Sequence, residues 1–528
     1  MTRPKNNALM RGLAGALTAV FLSGTASAAE LRWASPTDPQ TMDPHAVNSA
    51  AVLGFLNNVY EGLVRRNKDM AIEASLAESW EPLGETGWRF HLRRGVKFHD
   101  GADFTAEDVL FSYERAASDD SDVQSWFAPV AQVKVVDEYT IDFLTHEPNP
   151  IFPDSIANFL IMDKDWAETN KASRPARDQE TFATLRTNGT GPFEVQDREP
   201  GVQTVLVPHA DWWDTSTHNL TRVEFFPISN PATSVAALLT GEIDLINPVP
   251  VQDIDRLDQN LEIAVHRDIE ARVIMLGFGH DADALKYNQE EQDKNPFQNA
   301  RVRQAVAHAV NTQAIVDKIM RGNGETASQL VSRHMNGYSS ANAAGVEFDP
   351  QKARELLAEA GYPNGFSFGL MCPNDRYIND EAICKAIAAM LARVNVRANV
   401  NAMPVRNYWK ELREGNFDMY LLGWSPGTFD AEHPVRFLVN TPNKEKKLGS
   451  WNFGGYSNPR VDELLPQIQR ELDPAKRQAM LDEVASIVQS DTVYVPLHIQ
   501  PLLWASRANV KLVQRADNFV MLRWITVD

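Results

Sequence analysis

The side chains that could do chemistry are spread along the chain rather than gathered into a known catalytic pattern. His45, His433 and His498 could hold a metal only if the fold brought them together, and isolated histidines are more often structural. Asp430 and Glu432 form a close acidic pair of the kind used in acid–base catalysis, although such pairs more often lie in solvated loops. The sequence contains no nucleophile elbow, zinc-protease helix, phosphate-binding loop or dinucleotide fingerprint following a strand. We therefore expect no enzyme activity, no cofactor and no metal.

The composition places the chain among ordinary globular proteins and disfavours one class of partner. The chain has 528 residues, which suggests two or three domains rather than one core. Its formal net charge is −19. A surface this acidic repels a phosphate backbone, so we expect no nucleic-acid partner.

The first 28 residues have the pattern of a cleaved signal peptide. A basic start is followed by a short apolar run and by Ala26-Ser27-Ala28, the small residues that a signal peptidase requires. The apolar run is too short to span a bilayer. We expect an exported, periplasmic protein that begins near Ala29 and has no stable membrane insertion.

Strand and helix patterns alternate along the chain, which predicts an α/β architecture. The predicted strands include 31–33, 88–92 and 417–424. The predicted helices include 47–64, 301–321, 350–360 and 382–391. Thr105 and Asp108 have the spacing of a capping box at the start of a further helix.

The two cysteines, Cys372 and Cys384, leave two readings open. In an oxidising compartment they could form a disulfide. Cys384 lies within a helix that has an apolar stripe, and this favours two buried thiols. Without a nearby histidine or a second cysteine pair they do not form a zinc site.

Several short blocks in a fixed order carry a family resemblance. They are TMDPH (41–45), YEGL (60–63), LRRGVKFHDG (92–101), FTAEDV (104–109), GTGPF (189–193), FQNARVRQA (297–305), FDP (348–350), LL (356–357) and AGYPNGF (360–366). Together the blocks resemble the extracellular solute-binding proteins of family 5, the peptide- and nickel-type binding proteins of ABC importers. They cover nearly the whole exported part of the chain, and they specify a fold rather than a ligand.

The resemblance implies the type II periplasmic binding-protein fold of the large peptide-binding class, with two lobes that close on a ligand and an extra inserted domain. The segments that it predicts are the signal peptide (1–28), lobe I (29–60), the inserted domain (61–187), lobe I again (188–268), lobe II (269–497) and a return to lobe I (498–528).

The resemblance also implies where a ligand would be anchored. In the family's dipeptide binders an arginine in the loop occupied here by 374–380 pairs with the ligand carboxylate, and Arg376 stands at that position. These binders hold the ligand ammonium with an aspartate three residues after a Gly-Trp pair. Here Gly427 replaces that acid. Either Asp430 or Glu432 supplies the charge, or the ligand has no free amine.

Four further residues are predicted to line the ligand site. Trp424 and Tyr377 offer aromatic walls that tolerate varied ligand groups. Gln500 and Trp504 lie where the last segment is expected to return to the cleft.

The predicted function follows from this resemblance. We expect a monomeric component of an ABC importer that captures a short peptide or peptide-like solute and delivers it to the transmembrane permease subunits. A non-peptide solute on the same fold, such as an oligosaccharide, an opine or a metal chelate, is the alternative, because it would explain the missing acid at Gly427.

Overall fold

The structure, a computed structural model, describes Met1 and residues 29–176, 179–287 and 294–528. The predicted signal peptide, Met1 apart, lies outside these residues. Within the described ranges, no helix combines the length and apolarity needed to cross a bilayer.

The strands have the following bounds: β1 (Ala29–Ser35), β2 (Val64–Arg66), β3 (Ile72–Ala74), β4 (Ala77–Pro82), β5 (Gly87–Leu92), β6 (Val130–Asp137), β7 (Thr140–Thr145), β8 (Phe193–Glu199), β9 (Gln203–Pro208), β10 (Leu220–Pro227), β11 (Leu245–Ile246), β12 (Ile263–Phe278), β13 (Glu325–Thr326), β14 (Ser367–Pro373), β15 (Arg397–Met403), β16 (Met419–Trp424), β17 (Tyr494–Arg507), β18 (Val510–Lys511) and β19 (Thr526–Val527).

The α-helices have the following bounds: α1 (Ala50–Leu56), α2 (Ala106–Ala116), α3 (Phe152–Ser155), α4 (Lys164–Thr169), α5 (Phe182–Leu185), α6 (Pro231–Thr240), α7 (Ile254–Asp258), α8 (Ala300–Ala309), α9 (Thr312–Ala314), α10 (Pro350–Glu359), α11 (Asp380–Ala392), α12 (Val405–Arg413), α13 (Glu432–Pro434), α14 (Pro459–Arg470) and α15 (Pro474–Ser490). Single π-helical turns occupy Ile315–Ile319 and Val435–Val439.

One mixed sheet runs through both lobes. Its strand order is β15-β14-β16-β12-β17-β11-β1-β10-β9-β8, and β13 pairs with β17 off this path. The long strands β12 and β17 are antiparallel neighbours at its centre. The parallel strands β10, β1 and β11 lie on one side of this pair, and the parallel strands β15, β14 and β16 lie on the other. This arrangement confirms the predicted α/β class.

Each part of the chain has its own apolar core. The inserted region surrounds a four-stranded sheet of order β4-β5-β7-β6, and its core contains the buried rings of Phe90, Phe98, Phe143 and Phe152. The core of lobe I brings together Trp33, Phe55, Phe225 and Trp504 from four distant segments. Lobe II has separate cores on the two faces of its part of the sheet. The exact domain boundaries stay a prediction.

Asn58, together with its neighbour Val59, joins three segments of lobe I that are far apart in sequence. Its side-chain amide donates to the carbonyl oxygen of Val520 at 2.9 Å, and its amide oxygen accepts from Leu522 N–H at 2.8 Å. The GTGPF block closes the junction, because Gly191 N–H donates to Val59 O at 2.9 Å. A Cβ atom at Gly189 would overlap the same carbonyl, so only glycine fits there.

The TMDPH block forms a buried ion pair rather than a ligand site. Arg115 donates to both carboxylate oxygens of Asp43, and its guanidinium also contacts His45 Nδ1 at 3.0 Å. The other ring nitrogen of His45 lies 2.9 Å from Leu160 O. Burial, helped by the Arg115 charge, lowers the pKa of His45 to about 3. His45 therefore helps to hold the inserted region against lobe I, since its two ring nitrogens contact Arg115 and Leu160.

Several element predictions are confirmed, whereas two predicted helices are wrong in extent. The strands at 31–33 and 88–92 and the capping box of Thr105 and Asp108 are present. The helix predicted at 47–64 is only α1, since Ser49 caps its start and Val64 already begins β2. The helix predicted at 301–321 breaks after Ala309, because the Asn311 side chain accepts from Ala314 N–H at 2.8 Å and starts a new turn.

The expectation of two buried thiols is also wrong. Cys372 and Cys384 form a disulfide, with Cα atoms 6.7 Å apart. Cys372 lies on β14 and Cys384 on α11, and both side chains are fully buried. The helix folds back against the strand that precedes it, and this packing brings the two sulfur atoms together.

His498 on β17 should make the stability of the protein sensitive to acid. Its side chain is fully buried, neither ring nitrogen has a hydrogen-bond partner among the described residues, and burial lowers its pKa from 6.5 to about 3. Below about pH 6.5 the imidazole is protonated in the unfolded chain but stays neutral in the folded chain. The free energy of unfolding therefore falls as the pH drops below about 6.5. We expect His498→Leu to lose less thermal stability than the wild type between about pH 7 and pH 5.

The exposed His146 provides the matched control, since His146→Leu should leave the acid-induced loss unchanged. Thermal unfolding followed by circular dichroism measures both variants. Equal losses in the wild type and His498→Leu would show that His498 does not contribute to the acid sensitivity.

Candidate functional site

The two lobes meet where β12 and β17 interrupt their pairing. Ile269 is opposite Pro501 and Val273 is opposite Ile499, so three residues of β12 face a single residue of β17, Gln500. Bulges of this kind bend a strand and redirect its side chains. The bulge lies next to the predicted boundary between lobe I (188–268) and lobe II (269–497).

Polar side chains gather at this bulge. Gln500 donates to Glu270 Oε2 at 2.6 Å, and Arg272 forms an ion pair with Glu270 at 3.1 Å. The amide oxygen of Gln500 also accepts from Ile378 N–H of lobe II at 3.4 Å. The predicted site residue Gln500 therefore lies at the crossing between the lobes and contacts the loop that carries Arg376.

The loop between β14 and α11 is held by its own acidic residue. Asp380 Oδ2 accepts from the backbone N–H groups of Arg376 and Tyr377, each at 3.0 Å. Asp375 is occupied separately and accepts from Val405 N–H at 2.7 Å. The Arg376 side chain is exposed, and no carboxylate of the described residues lies within ion-pair distance of its guanidinium. The loop thus presents a cation whose charge is not already paired.

Tyr377 connects this loop to the end of β16. Its ring is almost fully buried, and its hydroxyl donates to Gly423 O at 3.4 Å. A Cβ atom at Gly423 would lie 2.6 Å from the Tyr377 ring, so the glycine permits this close approach. Tyr377 therefore anchors the loop that carries Arg376 against the end of β16.

Trp424 ends β16 and is 9% exposed. Its ring centroid lies 5.4 Å from that of His433 and 5.4 Å from that of Trp451. Its indole Nε1 is buried and has no hydrogen-bond partner within the described residues. Trp424 is thus a nearly buried residue of the lobe II core with an unused donor.

Asp430 and Glu432 are both hydrogen-bonded to side chains of the protein itself. Asp430 is fully buried, and its two oxygens accept from Arg477 at 2.7 and 2.8 Å. Glu432 accepts from Gln469 at 2.6 Å, and burial raises its pKa. We revise the expectation that Asp430 faces a ligand amine, because Arg477 already supplies its counter-charge.

Trp504 and Gly427 also differ from what the sequence suggested. Trp504 is fully buried in the lobe I core, and its indole donates to Asn518 at 2.8 Å, so it does not line the cleft. Gly427 is exposed, and a Cβ atom there would have no neighbour within 4 Å. A side chain could be placed at position 427 without displacing anything described.

A cavity of about 240 Å³ lies between the lobes. Its lobe I wall contains the ends of β1 and β11 and the start of α6, and its lobe II wall contains Ile378 and Asn379. Ligands of open α/β sheets bind beyond the carboxyl ends of the strands, and this cavity has that position. A larger cavity of about 300 Å³ lies within lobe II, away from Arg376. We place the candidate site at the cavity between the lobes, because it shares a loop with Arg376.

The inserted region contacts the loop that follows Trp424. Arg66 donates to Thr428 O at 2.9 Å, and its guanidinium lies 4.7 Å from the Phe429 ring centroid. Asp154 of the same region forms an ion pair with Arg66 at 3.4 Å. Sequence reasoning missed Arg66, since no local pattern marks an arginine whose partners are 88 and 362 residues away.

Two lobes on a continuous strand pair, with a cavity between them and an unpaired arginine beside it, define a protein that encloses a small solute. The chain belongs to the bacterial extracellular solute-binding proteins of family 5, since residues 71–446 match the family described as "Bacterial extracellular solute-binding proteins, family 5 Middle". The predicted family and its two-lobed type II fold are confirmed. Its members are periplasmic binding proteins of ABC importers, and the family is one of binding proteins rather than enzymes.

Relatives and solved structures extend over nearly the full length of the chain. The glutathione-binding protein GsiB of Escherichia coli K12 is 26% identical over 507 residues and 94% of each chain. The periplasmic binding protein DppA of Helicobacter pylori, solved with the peptide STSA, is 25% identical with a TM-score of 0.71, covering 94% of this chain and 98% of that one. HbpA2 of Haemophilus parasuis is 24% identical with a TM-score of 0.81, covering 95% of this chain and 100% of that one, and supports the fold alone.

The buried pair of Asp430 and Arg477 should matter for stability. Asp430→Asn leaves a nearly buried guanidinium without its counter-charge, which typically costs about 3–5 kcal/mol. We expect a lower thermal unfolding midpoint, measured in the absence of added ligand. Glu463→Gln, which removes an exposed ion pair with Arg460, is the control and should have a much smaller effect. An unchanged midpoint in Asp430→Asn would show that the ion pair with Arg477 does not stabilise the fold.

Proposed function

We propose that this protein captures a short peptide or peptide-like solute between its lobes and delivers it to the permease subunits of an ABC importer. The observation that carries the proposal is the exposed, unpaired Arg376 on a loop fixed by Asp380. Guanidinium groups bind carboxylates through two parallel hydrogen bonds, which suits the carboxyl terminus of a peptide. The names of the relatives support this ligand class, since one is a glutathione-binding protein and another was solved with a peptide.

The contacts of Gln500 at the crossing of β12 and β17 suggest how ligand binding is linked to closure of the lobes. Gln500 lies on the strand that crosses between the lobes and contacts both Glu270 and the backbone of the Arg376 loop. A ligand held by that loop and by the strand ends of lobe I would favour the arrangement in which the lobes are close. We also propose Tyr377 and Trp424 as walls of the closed site, where their rings would exclude water while tolerating different side chains.

Neither of the first two positions considered for binding the ligand amine offers a free acid. Position 427 offers no acid, and Asp430 is already paired. Glu270 is the remaining acid that we place at the crossing, where it shares its charge with Arg272. A metal chelate has no support from the described residues, among which no group of three acidic, histidine or cysteine side chains could hold an ion.

We further infer that the protein acts in the periplasm after residues 1–28 are removed, and that it works as a monomer. The acidic surface and the absence of membrane-spanning helices from the described ranges suit a freely diffusing carrier. The lobes present the surface that the permease would contact once the ligand is enclosed.

Arg376→Gln should weaken the binding of ligands that have a free carboxyl terminus. Losing one partner of a buried, hydrogen-bonded charge pair costs roughly 2–5 kcal/mol. Isothermal titration calorimetry with trialanine, its carboxyl-terminal amide and glutathione measures the loss. We expect Arg376→Gln to lose affinity for trialanine and glutathione while its affinity for the amide stays unchanged.

Arg397→Gln is the matched control, because Arg397 is also exposed on lobe II but lies on the edge strand β15. Equal affinities of the wild type and Arg376→Gln for the free acid would remove Arg376 from the site. Failure of the wild type to bind any of the three probes, together with co-purification of a sugar or another amine-free solute, would overturn the peptide assignment.

Gly427→Asp should create the missing amine anchor. The position faces open space and its backbone is not in the left-handed region, so an aspartate fits without strain. We expect about a tenfold gain in the affinity ratio of trialanine over N-acetyl-trialanine. Gly427→Asn adds a side chain of the same shape without the charge and is the control. An unchanged ratio in Gly427→Asp would show that the ligand amine does not lie near position 427.

A further inference from the structure

The end of β16 and the chain that follows it form an aromatic recess in lobe II. The ring of Phe437 lies 4.6 Å from His433 and 6.1 Å from Trp424, measured between centroids. Trp451 closes another side, 5.4 Å from Trp424. The rings of His433, Phe437 and Trp451 remain partly exposed, so the recess is accessible from outside.

Four buried polar atoms on the stretch from Trp424 to Arg436 have no hydrogen-bond partner among the residues the structure describes. They are Trp424 Nε1, Thr428 Oγ1, His433 Nδ1 and Arg436 Nε. A buried polar atom left without a partner costs free energy, and a cluster of them in a native protein requires an explanation. A ligand group that entered the recess would supply the missing partners.

The chemistry of these four atoms indicates what that group would be. The indole and guanidinium nitrogens can only donate, while the hydroxyl and the imidazole can donate or accept. Arg436 also supplies a cation, held 4.4 Å from the Phe437 ring centroid. Its side chain is 36% exposed, and its ion pair with Glu432, at 3.4 Å, is longer than a direct hydrogen bond of this type. Hydrogen-bond donors arranged around the Arg436 guanidinium would bind a carboxylate, which is an anion that only accepts hydrogen bonds.

The recess is linked to Arg376 through the backbone and one side-chain contact. Arg376 is followed by Tyr377, whose hydroxyl contacts Gly423 O, and Gly423 is followed by Trp424. A ligand that spans this connection would meet Arg376 with one end and the recess with another part.

We propose that Trp424, Thr428, His433 and Arg436 form a second subsite that binds an acidic group of the ligand, so that the preferred solute is a peptide-like compound with two carboxylates. This inference rests on the proposed function, because it assigns the first carboxylate to Arg376. The subsite gives the protein a preference for a charged side group, whereas Arg376 recognises the carboxyl terminus. The missing acid at position 427 is compatible with such a ligand, since a compound with two carboxylates depends less on its amine for charge pairing.

Peptide pairs that differ only in one side-chain group test the subsite. The probes are Glu-Ala-Ala against Gln-Ala-Ala and Ala-Glu-Ala against Ala-Gln-Ala, all of which keep a free carboxyl terminus. Calorimetry with wild-type protein should show a preference of about tenfold for the glutamate peptide in at least one pair. Arg436→Gln should reduce this ratio to about one without changing the affinity for the glutamine peptide, because only the charged group loses its partner.

Two further variants separate the possible outcomes. Trp424→Phe keeps the aromatic wall but removes the donor, so it should lower the ratio in the same direction. Arg413→Gln, at an exposed arginine of α12 in the same lobe, should leave the ratio unchanged. Circular dichroism checks that each variant is folded.

The subsite is overturned if the wild type binds both members of each pair equally, or if the preference survives in Arg436→Gln. Arg376→Gln should instead weaken both members of a pair by the same factor. Failure of the wild type to bind any of these peptides would reject the proposed function itself, which is a different result from binding without discrimination.

Discussion

The antiparallel pairing of β12 with β17 is the constraint on which the arrangement of the molecule depends. These two strands carry backbone hydrogen bonds from lobe I into lobe II, and the register shifts at the bulge of Glu270 to Arg272 and again between Ile274 and Met275. Each lobe adds its other strands to this pair from opposite sides. A hinge made in this way permits rotation while it preserves the positions of the side chains at the crossing. Gln500 lies at that crossing, where it contacts Glu270 of the bulge and the backbone of Ile378.

Much of the architecture could be predicted because it depends on local patterns and on blocks that retain their order. The capping box at Thr105 and the strand at 88–92 are set by neighbouring residues, and both are present. The glycines of the GTGPF block mark a real junction, since the backbone of Val59 leaves no room for a side chain. The helix predicted at 301–321 failed because the side chain of Asn311 competes for backbone hydrogen bonds, which apolar periodicity does not reveal.

The candidate site was harder to predict because its properties depend on partners that are distant in sequence. Asp430 is an acid near the ligand loop, but Arg477, 47 residues further on, takes both of its oxygens. Trp504 is an aromatic residue on a strand that reaches the hinge, yet it points into the core of lobe I. Arg376 could be proposed from its position in the family, whereas only the structure shows that none of the acids it describes is paired with this arginine. The unpartnered atoms of the aromatic recess belong to the same category.

Cys372 and Cys384 flank the loop that carries Arg376, and their disulfide closes this segment into a ring. The chain between the two sulfur atoms also contains Asp380, which fixes the backbone of Arg376 and Tyr377. A covalent bond around so short a segment restricts the shapes that the loop can adopt before any solute arrives. Less conformational entropy then remains to be lost on binding, so a larger share of the interaction energy appears as affinity. The crosslink thus acts on recognition as well as on stability, although it lies behind the residues that would touch the solute.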